Sequence, residues 1–193
     1  MARETDTGRV RIIGGAWRRR LLDFPQATGL RPTPDRVRET VFNWLAPYLP
    51  GAVCLDLFAG SGAFGFEALS RGAHRAVLVE QAAPVVAALR DSSVRLGASG
   101  AEIRGDEVMA VLNGPVEAFD VVFVDPPYAS NLLEPCLHRL ATGGWLKPGA
   151  WIYLEAPAPV SPKLPSGWEP ARHKTAGQVG YYLVRAPRRE ESA

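Results

Sequence analysis

The chain has 193 residues, 47% of them apolar and 22% charged, with a formal net charge of +2. Those figures fit one folded domain with a full core, and they exclude wholesale disorder and a two-domain enzyme of ordinary size. No apolar run approaches the roughly 18 residues of a membrane span, and the opening MARETDTGRV lacks the apolar centre of a secretory signal, so a cytoplasmic protein is expected.

Positive charge gathers at the front. Arg9, Arg11, Arg18, Arg19 and Arg20 fall in a segment without an acid, and Arg31, Arg36 and Arg38 follow with Asp35 and Glu39 interspersed. Within that segment RVRIIGGAWRRRLL reads as a short hairpin turning at Gly14-Gly15, with Ile12, Ile13 and Trp17 as its apolar contacts. TPDRVRETVFNWLAPYL then reads as a helix: Thr33 is a candidate cap, Pro34 suits the first turn, and Val37, Val41, Trp44 and Leu45 recur at helical spacing. Pro47 marks its end.

From residue 52 onward, apolar runs of strand length alternate with segments of helical period, the pattern of a parallel sheet with crossover helices. Strands are expected at Val53–Phe58, Ala76–Glu80, Glu102–Arg104, Val121–Asp125 and Ala150–Glu155, with helices near 63–71, 84–96, 106–112 and 131–142. APAPVSPKLPSG is too proline-rich for a helix and reads as a loop replacing the last crossover. Beyond it, Trp168–Lys174 and Val179–Arg185 flank TAGQ as a closing antiparallel hairpin. The last residues, PRREESA, are expected to fray. Cys54 and Cys136 sit in apolar patterns without metal-ligand spacing and read as reduced core thiols, while His74, His138 and His173 are scattered; no metal is implied.

LDLFAGSGAFGFEAL places Gly60, Gly62 and Gly65 between the first parallel strand and its helix, a literal G-x-G-x-x-G. Such glycines permit the tight turn, close ligand approach and helix-to-strand packing in that order. Glu80 follows at the end of the second strand, where a carboxylate can accept both hydroxyls of a ribose. The competing reading is a plain tight turn with a solvated acid; the two features together favour an adenosine-containing ligand. Asp56, inside the first strand, argues against a dinucleotide, because a buried carboxylate needs donors and a cofactor ammonium with the loop amides would supply them.

D-x-F-A-G-S-G, an acid after the second strand and D-P-P-Y after the fourth resemble the class I S-adenosylmethionine-dependent methyltransferases. The resemblance implies that Asp56, Phe58, Gly60, Ser61 and Gly62 hold the methionine part, Glu80 the ribose and Asp106 of RGDEV the adenine amino group. Asp106 also reads as an ordinary helix cap. Asp125, Pro126, Pro127 and Tyr128 would face the transferred methyl. An exocyclic nucleobase amine is a poor nucleophile because its lone pair is delocalised into the ring. If Asp125 and the Pro126 carbonyl accept its two N–H bonds, the nitrogen is oriented and its developing positive charge is stabilised. The prolines bring no competing donors, and Tyr128 offers a face for a flipped base. Two prolines after a strand are otherwise just a turn.

D-P-P-Y alone leaves adenine-N6, guanine-N2 and glutamine-N5 open. RIIGGAWRRRLL, GLRPTPDRVRETVFNWL and HKTAGQVGYYLV closely resemble the bacterial 16S rRNA guanine-N2 methyltransferase family, RsmD. The resemblance covers most of the chain and implies methylation of one guanine amine in 16S rRNA, in a small ribosomal subunit or an assembly intermediate. It also implies that the 33–45 helix covers the cofactor pocket, with Arg36, Arg38 and Asn43 as local contacts. Arg11, Trp17, Arg18, Arg19, Arg20 and Arg36 are the RNA candidates, although a charge run also reads as a solvated face and Trp17 as a local core residue. The expected protein is a Rossmann-like α/β monomer with a mostly parallel seven-stranded sheet and an antiparallel C-terminal hairpin strand. Its domains are expected to be a basic arm over 1–32, the methyltransferase domain over 33–186 and a disordered tail over 187–193. The resemblance implies S-adenosylmethionine as its cofactor. The alternatives are an N6-adenine methyltransferase and a noncatalytic nucleotide- or RNA-binding assembly factor.

Overall fold

Each parallel strand alternates its side chains between two covered faces, which is why the strands read as near-continuous apolar runs. In the computed structural model, which describes residues 7–25, 33–158 and 161–188, that alternation is explicit. The strands are β3 (Val53–Asp56), β4 (Arg75–Val79), β5 (Ala101–Arg104), β6 (Phe119–Val124) and β7 (Leu146–Pro157). Cys54, Leu78, Val121, Phe123 and Tyr153 point to one core, and Leu55, Val77, Val122, Val124 and Ile152 to the other. The first core is covered by α1 (Asp35–Leu45), α2 (Ala63–Ser70) and α3 (Ala83–Leu96), the second by α4 (Val108–Leu112) and α5 (Leu133–Thr142).

The sheet order is β5-β4-β3-β6-β7-β9-β8, with β8 (Glu169–Ala176) and β9 (Val179–Arg185) joined by the two-residue turn Gly177-Gln178. β9 runs antiparallel to β7, and every pairing from β5 to β7 is parallel. This is the expected class I methyltransferase architecture. The chain order reverses between β3 and β6, and the crevice at such a switch point is where doubly wound sheets bind ligands. β7 begins earlier than expected, at Leu146, because Pro148 and Gly149 are accommodated where the β6–β7 register shifts. A proline is tolerated at such a bulge, where its missing N–H breaks no ladder bond.

At the front, β1 (Thr7–Arg11) pairs antiparallel with β2 (Leu21–Pro25). The turn is not the tight one expected at Gly14-Gly15. Instead residues 12–20 form a longer connection that docks on the end of α2: the Ala16 amide donates to the Ser70 carbonyl at 2.7 Å and the Trp17 amide to Ser70 Oγ at 2.9 Å. Gly15, at φ 77°, allows this approach, since a Cβ there would fall 1.8 Å from the Ser70 oxygen. Glu67 of α2 completes the dock. Its fully buried carboxylate accepts the Ile13 and Gly14 amides at 2.7 and 2.8 Å and Arg71 Nε at 2.7 Å.

Two further boundaries differ from expectation. Thr33 does not cap α1; Pro34 holds the cap position with no side-chain bond, and the Thr33 hydroxyl turns instead toward β6 and β7. The helix expected over 106–112 begins at Val108, without a side-chain cap from Asp106, because Glu107 is still extended at φ −68° and ψ 139°. Expectations for Arg31, for residues 159 and 160 of the proline-rich loop and for residues 189–193 of the tail lie outside the described residues, as does the side chain of Tyr128.

Candidate active site

The alternation that builds the two cores also gathers the acids. Asp56, Glu80, Asp125 and Glu155 each follow an apolar run at the carboxyl end of β3, β4, β6 and β7, in step with the residues that point toward α1 and α2. Asp56 pairs in register with Phe123, and Val124 with Leu154, so Asp125 and Glu155 come next to each other one step further on. Four carboxyl groups therefore line one edge of the sheet at its switch point.

On the glycine side the acids meet backbone donors. Gly60 and Gly62 both have positive φ, 48° and 78°, and Gly62 starts α2. A Cβ on Gly62 would lie 2.6 Å from the Phe66 ring, so the turn admits no side chain there. A Cβ on Gly65 would lie 2.7 Å from Leu78 of β4, which is the helix-to-strand packing read from the motif. Asp56, 3% exposed, accepts the Gly65 amide at 3.0 Å. Burial nevertheless pushes its carboxyl up to about 7; the Gly65 and Phe58 amides oppose that rise and the Glu80 charge adds to it. Glu80 accepts the Gly60 amide at 3.2 Å and the Ala82 amide at 2.8 Å, fixing its carboxylate across the turn. Ser61 is buried and Phe58 half-buried beside this turn, whereas Asp106 and Asn43 are exposed at the ends of β5 and α1.

On the other side the acids meet each other. The partly buried Asp125 lies within hydrogen-bond reach of the Glu155 carboxyl, and Thr33 Oγ1 stands 3.4 Å from Asp125 Oδ2 and 3.2 Å from Glu155 Oε1. The Tyr153 hydroxyl donates to Glu155 Oε1. Burial, then the charges of Glu155 and Asp56, hold the Asp125 carboxyl well above the ordinary carboxylate range, against the Thr33 hydrogen bond. Beside this pair opens a cleft of about 630 Å³, lined among others by Pro126, Pro127, Asn131, Glu155 and Lys163. Pro126 is buried and Pro127 exposed at its mouth.

Of the residues read from sequence, the structure brings Asp56, the glycine turn, Glu80 and Asp125–Pro126 together at one crevice. Arg18, Arg19 and Arg36 are exposed; Arg11 is exposed and paired with Asp35 at 2.6 Å, and Arg20 donates to the Arg95 carbonyl at 3.1 Å. Trp17 is half-buried and packs against the first core, the local role allowed for it. Sequence reasoning missed Thr33, Tyr153 and Glu155 as site residues. The signal was present for Glu155: WIYLE ends an apolar run on an acid, as VFVD does.

The family model described as conserved hypothetical protein 95 matches residues 10–185. The chain belongs to this family, the RsmD family. Within it, the chain is 46% identical over 187 residues to the ribosomal RNA small subunit methyltransferase D of Escherichia coli K12, covering 96% of this chain and 94% of that one. A solved structure described as the putative methyltransferase yhhF from Escherichia coli superposes with a TM-score of 0.88 at 44% identity, covering 93% of this chain and 99% of the other. Outside close RsmD relatives, the fold is shared with an RNA methyltransferase from Salinibacter ruber in complex with S-adenosyl-L-homocysteine, at a TM-score of 0.61 and 22% identity over 84% of this chain and 98% of that one.

Proposed function

We propose that the protein transfers a methyl group from S-adenosylmethionine to the exocyclic N2 amine of a guanine in small-subunit ribosomal RNA. The observation that carries this reading is the Asp125–Pro126 turn, with its acid and its proline carbonyl, one strand away from a glycine turn that suits a nucleoside cofactor. The names of the Escherichia coli relative and of the Salinibacter ruber complex support the reaction class and the cofactor.

The residues present suit that cofactor. Asp56 is a buried acid whose charge is costly until a cation arrives, and an α-ammonium supplies one. Glu80, already fixed by two amides, keeps lone pairs for ribose hydroxyls. Ser61 and Phe58 line the same turn, and Asp106, just past the end of β5, suits the adenine end; Asn43, in the last turn of α1 and far along the helix from Thr33, is not supported as a cofactor contact. When bound, the sulfonium supplies an electrophilic methyl carbon. The chain's part is to orient the nucleophile: Asp125 and the Pro126 carbonyl accept hydrogen bonds from the two amine N–H groups. Transfer to the nitrogen would leave it with a surplus proton, which Asp125 is placed to take. Acceptors fixed before reaction favour the charged transition state over the neutral amine.

The test is to incubate the protein with methyl-labelled cofactor and undermethylated small subunits or naked 16S rRNA, then to identify the labelled nucleoside. N2-methylguanosine is expected. N6-methyladenosine would make this an adenine enzyme using the same turn, and RNA binding with no label would make it a noncatalytic assembly factor.

A further inference from the structure

The four acids at the crevice are not equivalent. Asp56 and Glu80 face amides of the glycine turn, and Asp125 faces a second acid from the neighbouring strand that the reaction as derived so far does not use. Glu155 is 6% exposed, yet it lines the cleft beside Pro126 and Pro127, next to the turn that carries Asp125. Three elements converge on it: Thr33 from the segment before α1, Tyr153 from its own strand and Asp125 from β6.

We propose that Glu155 is a positioning residue for Asp125, the two carboxyl groups sharing one proton across β6 and β7. The inference rests on the methyl-transfer reading above. Two carboxylates in contact at a poorly solvated edge do not both ionise readily; one proton held between them removes the repulsion and makes a short, directional bond. Whenever the shared proton lies on Glu155, Asp125 is an oriented anion, one oxygen fixed by its neighbour and the other left to accept the amine N–H. Thr33 and Tyr153 fix the Glu155 side of the pair, and the Thr33 carbonyl is itself held by the buried Arg38 Nε at 3.1 Å. After the new nitrogen–carbon bond forms, the proton leaving nitrogen is taken by Asp125, so the pair then carries two protons and returns one to solvent before the next turnover. No oxidant or further reactant enters.

The groups that bear on Asp125 are Asp56 from β3, with Glu80 behind it on β4, and Glu155 backed by Tyr153 on β7; Lys163 and Glu134 stand on the far wall of the cleft. Glu155 is the one that touches it and raises it, so removing its acid should move the Asp125 titration to lower pH.

Glu155→Ala and Glu155→Gln separate this role from plain packing. Total methyl transfer is counted from labelled cofactor whichever nucleoside carries it, alongside cofactor affinity, RNA affinity and melting temperature. A 13C NMR titration of the Asp125 carboxyl, assigned with Asp125→Asn, gives a readout without activity. Glu155→Ala is expected to lower kcat by about 30- to 100-fold, the scale of a misplaced reacting group, with both affinities kept. Glu155→Gln, whose amide can donate to Asp125 and whose carbonyl can still accept from Thr33 and Tyr153, is expected to recover kcat to within about fivefold of wild type. In both variants Asp125 titrates at lower pH. Wild-type kcat in the alanine variant, or an unmoved Asp125 titration, overturns the proposal. A glutamine variant as slow as the alanine one also overturns it, because an ionised Glu155 would then be required. Should the alanine variant melt below the assay temperature, the glutamine variant and the titration decide alone. If the wild-type protein transfers no methyl at all, the methyl-transfer reading fails, and the Asp125 titration still decides whether the two acids share a proton.

Discussion

Glu67 and Asp125 are acids in one molecule with opposite surroundings. Glu67 is wholly buried, and its two oxygens accept two backbone amides and the Arg71 guanidinium, with Arg38 Nη1 a further 3.8 Å away, beyond hydrogen-bond distance. Asp125 meets one hydroxyl at 3.4 Å and another carboxyl. A charge with donors on every side is committed to holding segments together. An acid kept among other acids ionises only at a cost, and groups perturbed in this way cluster at functional sites.

The sharpest way to break this contrast is to remove each acid in turn. Glu67→Ala leaves two amides and a guanidinium stranded, so unfolding is expected to become easier by about 3–5 kcal/mol, the cost of breaking a buried ion pair. For a chain of this size that is a fall in Tm of roughly 10 °C, read by calorimetry. Asp125→Ala is expected to do the reverse: turnover falls by about 10²- to 10³-fold, as when one oriented transition-state partner is lost, while Tm holds or rises and cofactor affinity persists. A large loss of stability in the second variant, or a small one in the first, would erase the distinction.

Asp56 lies between these extremes and sharpens the comparison through pH. Its carboxyl is pushed up to about 7 by burial, so the folded protein binds a proton that the unfolded chain has released. Stability from this group is therefore present at low pH and is lost as pH climbs from about 4 through 7. An ammonium ligand prefers the ionised form, so cofactor affinity is expected to rise as pH passes through 7 and to level off above it, with proton release below; calorimetry in buffers of different ionisation enthalpy reads both. Asp56→Asn should weaken cofactor binding by about 10- to 100-fold, the worth of one charge-assisted hydrogen bond, and flatten the pH dependence. The smallest effect belongs to the exposed arm. Replacing Arg18, Arg19 and Arg20 with Gln is expected to lower the slope of log affinity for RNA against log salt by up to about 2, leaving cofactor affinity intact. An unchanged slope removes these arginines from the RNA contact.

The mostly parallel sheet, its closing antiparallel hairpin and the acids Asp56, Glu80 and Asp125 were legible in the sequence because each is local: an apolar run, a glycine turn, a terminal acid. What escaped depends on chain segments far apart. Thr33 looks like a cap because it precedes Pro34 and an acidic first turn, and only the folded chain shows its hydroxyl 92 positions away at Asp125. Glu67 sits inside the apolar helix sequence AFGFEALS, where nothing nearby announces the amides of residues 13 and 14 that claim it. The connection at 12–20 was read as a tight turn for the same reason: its true partner, Ser70, lies more than fifty positions downstream.

Arg38 ties these distant pieces into one mechanical linkage. Its guanidinium is fully buried and donates to the Thr33 carbonyl, to the Arg11 carbonyl at the end of β1 and to Asp35, while it faces Glu67. Val10, Ile12, Leu22 and Phe24 of the hairpin share their oil with Val41 and Phe42. The hairpin of residues 7–25 is thus no tethered appendage: a load applied to its strands reaches, through the one buried guanidinium, the residue whose hydroxyl stands beside Asp125.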